Sequence, residues 1–124
     1  MEITLVLSIF KEIRDWILGI EKSNLENKKE NKIALKSIYV ALSETRSYFS
    51  DRKILAKDRE RERQIAKLWF EAAIELKEID NDLAMRCFLK GEFWTDPDNW
   101  KNDEEQNLNI SINEMTSLCR KLLN

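Results

Sequence analysis

Apolar residues recur along this chain at the three- and four-residue steps of an α-helix. From about Ile3 to Ile20, Val6, Phe10, Ile13, Ile17 and Ile20 step by 4, 3, 4 and 3, and Leu5, Ile9 and Trp16 form a second stripe. A second segment, about Asn31 to Phe49, carries Leu35, Ile38, Leu42, Thr45 and Phe49 at steps of 3, 4, 3 and 4, widened by Ala34, Ala41 and Tyr48. The third, from Asp58 to about Ile79, has Ile65, Trp69, Ala72, Leu76 and Ile79 at 4, 3, 4 and 3. In the last, Leu108, Ile112, Met115, Cys119 and Leu122 repeat those steps. Between these lies a short helical segment, with Leu83, Ala84, Cys87 and Phe88 as its expected buried side.

Polar punctuation sets the expected boundaries. Ser50-Asp51 reads as the stop of the second segment, with Ile54 and Leu55 packing across the turn. Asp58 reads as the N-cap of the third, and Asp80 or Asn81 as that of the fourth, because a short side-chain oxygen there can accept an orphan backbone N–H. Gly91 falls where a C′ glycine would end the fourth segment. Asp96-Pro97 then suggests one short helical turn, and Asn102 with Glu105 resembles a capping box for the fifth. Glu21 to Lys32 is polar and rich in Lys, Asn and Glu, and reads as a loop or an exposed helix joining to the next segment.

Composition narrows the fold class. With 124 residues the chain is one domain, and with two Gly and one Pro it lacks the turn residues that β architectures need. The expected fold is all-α: a compact antiparallel helical bundle of four main helices, a short helix and an aromatic-rich loop, in a single domain over residues 1–124.

Chemistry is constrained mainly by what is missing. Histidine is absent, which removes His-based acid–base catalysis, His-activated nucleophiles and most zinc sites. No glycine-rich phosphate loop exists. Asp96, Asp98 and Asp103 lack the order of a calcium loop. No catalytic residue, metal or cofactor is expected. Cys87 and Cys119 fall on apolar positions and read as small core residues. The apolar start, Ile3 to Phe10, follows Glu2 and precedes Lys11-Glu12 without a small-residue cleavage site, so it does not read as a secretory signal. It is also far shorter than the ~20 residues of a membrane span, and a cytoplasmic location is expected.

The formal net charge is −2, but the charge is unevenly spread. Asp51 to Lys67 holds seven bases and four acids, whereas Glu92 to Glu114 holds seven acids and one base. In the basic stretch, Arg59/Glu62 and Glu60/Arg63 are three residues apart, a spacing that pairs them along a solvated helix face. Arg52, Lys53, Arg59 and Arg63 are candidate anion contacts, although interleaved acids make a poor phosphate track.

Two further features draw attention. Glu44-Thr45-Arg46 places polar groups beside an apolar stripe, with Thr45 on it. We read them as a structural network, Arg46 reaching a carboxylate on the third or fourth segment, with ligand contact as the alternative. Four large aromatics, Phe88, Phe93, Trp94 and Trp100, crowd into 13 residues. They read as a lid on the core or as a partner contact. The broad apolar face of the first segment reads as central packing or as an interface. The expected function is a non-enzymatic helical interaction or regulatory module. It would bind another protein or a second copy of itself through Ile9, Ile13 and Trp16 or through Phe93, Trp94 and Trp100. The alternative is a small nucleic-acid-associated regulator using the basic segment 52–67. An enzyme built on Glu44 and Arg46 ranks last.

Overall fold

The structure, a computed structural model, describes residues 3–25, 27–52, 56–95 and 102–123; for 3–10 and 102–112 it describes the backbone alone. Those residues form five helices: α1 (Ile3–Ser23), α2 (Lys29–Arg52), α3 (Arg59–Leu76), α4 (Asn81–Thr95) and α5 (Asn102–Leu123). No strand occurs among the described residues. The principal contacts close a ring, α1 on α4, α4 on α3, α3 on α2, α2 on α5 and α5 on α1.

The stripes read from the sequence meet at the centre of that ring. Ile13, Ile17, Leu35, Ile38, Leu42, Ile65, Trp69, Leu76, Leu83 and Met115 are buried there. Burying an aliphatic side chain of this size contributes about 1.5–3 kcal/mol before the chain's lost entropy is counted. Cys87 and Cys119 are free, buried thiols in the same core, in keeping with their apolar positions. Burial pushes the pKa of each up to about 12, so both stay protonated and inert at neutral pH.

Local chemistry explains most helix ends. α1 closes on Asn24, whose φ of 57° is left-handed. Asn24 N–H bonds the Glu21 carbonyl at 3.2 Å and Leu25 N–H the Ile20 carbonyl at 3.1 Å, the paired bonds of a Schellman motif. The Asn31 amide then donates to the Leu25 carbonyl at 3.1 Å and ties α2 to that corner. Asp58 caps α3 by accepting from Arg61 N–H at 3.1 Å, and Asp80 caps α4 by accepting from Leu83 N–H at 3.0 Å.

Three expectations about boundaries need correction. Ser50-Asp51 does not stop α2, which continues to Arg52. Gly91 does not end α4, which runs on to Thr95. Nor does Gly91 adopt the left-handed conformation of a C′ glycine. Its role is steric: a Cβ built there would lie 2.5 Å from Cε1 of Phe70 on α3. The missing side chain is what lets α3 and α4 approach. Phe93 and Trp94 are therefore helical and buried rather than part of an aromatic loop. Ile54, Leu55, the Asp96-Pro97 turn and Trp100 lie outside the described residues.

The two glycines should respond oppositely to alanine. At Gly19, exposed in α1, nothing lies within 4 Å of a new Cβ. Gly19→Ala is expected to gain about 0.5–1 kcal/mol of helix stability. At Gly91 the same gain is outweighed by overpacking against Phe70, leaving a net loss of about 1 kcal/mol. Chemical denaturation of the two variants checks this, and equal signs would contradict it.

Candidate functional site

Glu44, Thr45 and Arg46 are consecutive, and the ~100° turn per helical residue sends them in three directions. Thr45 points into the core. Its hydroxyl donates to the Ala41 carbonyl at 2.7 Å and accepts from the Trp69 indole N–H at 3.1 Å. Both polar groups are satisfied, so neither carries the ~1–3 kcal/mol penalty of an unmet buried group. Arg46 turns the other way. Its partner is the Asn113 side chain on α5, at 3.5 Å, and not the expected carboxylate on the third or fourth segment. The two side chains border a polar pocket of about 360 Å³ with Ser47, Ser50 and Asp51. Glu44 lines a separate groove of about 410 Å³ between α2 and α3, with Val40, Ile65 and Leu68 as its apolar walls. The structure does not bring the three together into one site.

The polar centre of the fold lies one turn further along α2. Tyr48 is buried; its hydroxyl donates to the Glu62 carboxylate and accepts from Asp58 N–H at 3.2 Å. Glu62, expected on a solvated face, is 1% exposed. Its residue number places it three before Ile65 and seven before Trp69, on the same stripe, and Tyr48 makes that burial tolerable. Its other oxygen accepts from Arg59 at 3.3 Å. Arg61 lies 5.3 Å over the Tyr48 ring and Arg52 6.0 Å over it. Burial, and then the Glu62 hydrogen bond, push the Tyr48 pKa up to about 12.

Three arginines of this region pair with acids. Arg59 pairs with Glu62 at 3.3 Å, Arg61 with Asp51 at 2.6 Å and Arg63 with Glu60 at 3.2 Å. The Arg59 and Arg63 pairs have the expected spacing of three. Lys53 lies outside the described residues.

The expected partner residues sit as follows. Ile13 is buried within the ring, and Trp16 is half-buried against the core. Ile9 lies on α1, but its side chain is outside the described residues. Phe93 is buried, and Trp94, 1% exposed, packs with ring centroids 5.6 Å from both Tyr48 and Phe49. Beside them Lys90 is fully buried, its Nζ 5.5 Å from the Phe93 ring and 6.0 Å from that of Trp94. Burial lowers its pKa well below the usual lysine value.

Among the described residues the exposed large apolar side chains are Leu25, Ile33, Val40, Ile74, Met85 and Phe88. Phe88, expected on the buried side of α4, is 40% exposed, because it falls at the edge of the face formed by Leu83, Cys87 and Trp94. Its ring meets Phe70 of α3 at 5.5 Å. One turn towards the α3–α4 connection, Ile74 is 63% exposed and Met85 55%. Phe70, Ile74, Met85 and Phe88 thus form an apolar seam along the outside of the hairpin. The sequence carried a signal for it: Phe70, Ile74 and Met85 all fall off the buried stripes.

Among the described residues no group of three His, Cys, Asp or Glu could hold a metal ion, and no helix is long and apolar enough to cross a membrane.

Two variants test the buried polar groups. Tyr48→Phe leaves the Glu62 carboxylate short of a donor and is expected to cost about 1–3 kcal/mol at neutral pH. The folded pKa of Tyr48 lies above its ordinary value of 10.0, so its contribution is complete below pH 10 and disappears as pH rises through about 12. Denaturation across that range should show a shallower alkaline loss in Tyr48→Phe than in the parent; an unchanged slope would contradict the assignment. The two thiols lose stability in an overlapping range, starting near their ordinary value of 9.0, in both proteins alike. Lys90 has the opposite sign. Its folded pKa is depressed, so it costs stability at neutral pH and less as pH approaches the ordinary value of 10.5. Lys90→Met should therefore stabilise the fold at pH 7 by about 1–4 kcal/mol, with the gain shrinking towards pH 10.5.

Compared with protein-family models, curated proteins and solved structures, the chain has no match.

Proposed function

We propose that this chain is a non-enzymatic helical interaction module that engages protein through the outer face of the α3–α4 hairpin. One observation carries the reading: on the outer side of the hairpin the rings of Phe70 and Phe88 meet, and Ile74 and Met85, one turn along each helix, are more than half exposed. Single exposed apolar side chains are ordinary on a protein surface. A row of four, two of them more than half exposed, is the kind of patch that a partner covers. Ile74 and Met85 keep more than half of their surface exposed. Phe88 spends part of its surface on Phe70 and leaves the rest to solvent.

Two further features support the reading. Residues that could carry chemistry, Thr45, Tyr48, Glu62 and Lys90, are consumed in the interior. The arginines of the basic segment are held largely by neighbouring acids, which weakens the nucleic-acid alternative, since phosphate binding draws on clustered uncompensated charge.

The test is site-specific photocrosslinking in cells. A photoreactive residue at position 85 is expected to give a discrete adduct that Ile74→Asp abolishes. The same probe at Lys36, exposed on α2, should give none. Adducts of equal yield from both positions, or none from position 85, would overturn the proposal.

A further inference from the structure

We infer that the α2–α5 face binds the phosphate backbone of double-helical nucleic acid, without reading its sequence, through Lys29, Lys32, Lys36 and Arg46 of α2 and Arg120 of α5. The surface shares no helix with the α3–α4 hairpin, so the inference is independent of the interaction reading above. It also lies apart from segment 52–67, three of whose arginines meet acids.

Charge is sorted by angle around α2. At about 100° per residue, positions 29, 32, 36, 39, 43, 46, 47 and 50 fall within an arc of roughly 100°. That arc holds four of the helix's five bases, Lys29, Lys32, Lys36 and Arg46, together with Tyr39 and three serines, and no acid. The acids of α2, Glu30, Glu44 and Asp51, all lie beyond its α3 edge. Glu44 lines the groove against α3, and Asp51 is taken by Arg61 at 2.6 Å. The fifth base, Arg52, lies over the Tyr48 ring.

α5 extends the arc. Arg46 reaches Asn113 at 3.5 Å and Arg120 hydrogen-bonds the Tyr39 hydroxyl, so both arginines stand on the α2–α5 line. Among the described side chains of α5 the one acid, Glu114, turns to α1 and pairs with Arg14 at 3.2 Å. Lys121 turns the same way and pairs with Glu21 at 2.8 Å. Asp103, Glu104 and Glu105 precede Asn113 by eight residues or more, which carries their backbone at least ~12 Å past the Arg46 level. Their side chains, like Glu26, lie outside the described residues. Among the described residues none of the five bases pairs with a carboxylate. Lys29, Lys32, Lys36 and Arg120 are exposed, and Arg46 is half-buried. A chain of net charge −2 thus carries a row of uncompensated cations. From Lys29 to Arg46 the row is about 25 Å long.

Clustered, uncompensated cations are the footprint of a phosphate backbone, which offers a charge every ~1.7 Å of duplex. Between and beside them Tyr39, Ser47, Ser50 and Asn113 supply neutral donors of the types that phosphate oxygens accept. The hydrogen bond from Arg120, reinforced by the charge of Arg46, lowers the Tyr39 pKa, so an oxyanion is already favoured at the middle of the row. Single strands are held by bases stacked on exposed aromatics, and the one aromatic of this arc, Tyr39, is half-buried and engaged by Arg120. A membrane surface draws on apolar side chains among the bases. Here the exposed apolar residues Ile33 and Val40 stand outside the arc, on the side of Glu44. A duplex is the polyanion that this face fits.

Fluorescence anisotropy of a labelled mixed-sequence duplex of roughly 20 base pairs, titrated with the purified full chain, tests the inference. Five phosphate contacts predict that affinity falls roughly 500-fold between about 50 and 200 mM salt. The double variant Lys32→Glu/Lys36→Glu should weaken binding and make the slope of log affinity against log salt shallower by about two, with circular dichroism unchanged. Arg63→Glu/Lys67→Glu on α3 makes the same change in net charge and should leave that slope as it is. Absence of binding at low salt overturns the inference. Equal effects of the two double variants overturn the face assigned. Tighter binding of the single strand than of the duplex, or binding to phosphatidylserine–phosphatidylcholine vesicles but not to the duplex, overturns the occupant.

Discussion

Where a Cβ of Gly91 would stand, the ring of Phe70 stands instead. That substitution of space for side chain lets α3 and α4 pack directly on each other, and much of the remaining structure depends on it. The Phe70 ring fills that space, packs partly buried against the core and meets Phe88 at its outer edge. Trp94, one turn beyond Gly91 on the same helix, lies in the interior, where it meets Tyr48 and Phe49 of α2.

The interior is not uniformly apolar, and its polar groups differ in how well they are met. Thr45 joins α2 to α3 through the Trp69 indole. Tyr48 joins α2 to the start of α3 twice, through Glu62 and through the backbone of Asp58. These bonds fix the register of the two helices more sharply than aliphatic contacts would, since a slip of one residue strands a buried donor or acceptor. Burial of Lys90 favours its neutral amine, whose Nζ lies 5.5 Å from the Phe93 ring and 6.0 Å from that of Trp94.

Much of the fold was legible in periodicity alone. Four stripes with alternating steps of three and four became α1, α2, α3 and α5, and Asp58 and Asp80 became caps because their geometry depends on neighbours in sequence. Most of the misreadings share one cause, which is that they depend on residues far apart in the chain. Gly91 looks like a terminator until Phe70 is placed against it. Glu62 looks solvated until Tyr48, 14 residues earlier, supplies a buried donor. Arg46 finds Asn113 across 67 residues, a partner that spacing cannot suggest. Phe88 was assigned to the buried side by hydrophobicity, yet its angular position on α4 puts it at the rim.

The same distinction separates the surface from the core as a source of function. Aromatic crowding between Phe88 and Trp94 drew attention to the right helix for an incomplete reason. Trp94 is the larger side chain, but it is absorbed by Tyr48 and Phe49. Phe88 is smaller and keeps surface to offer. What makes a residue available to a partner is the apolar area its own fold leaves uncovered, and among the described residues Ile74 and Met85 on α3 and α4 keep the largest exposed fractions. The packing constraint at Gly91 thus reaches the outside of the molecule, where Phe70 meets Phe88.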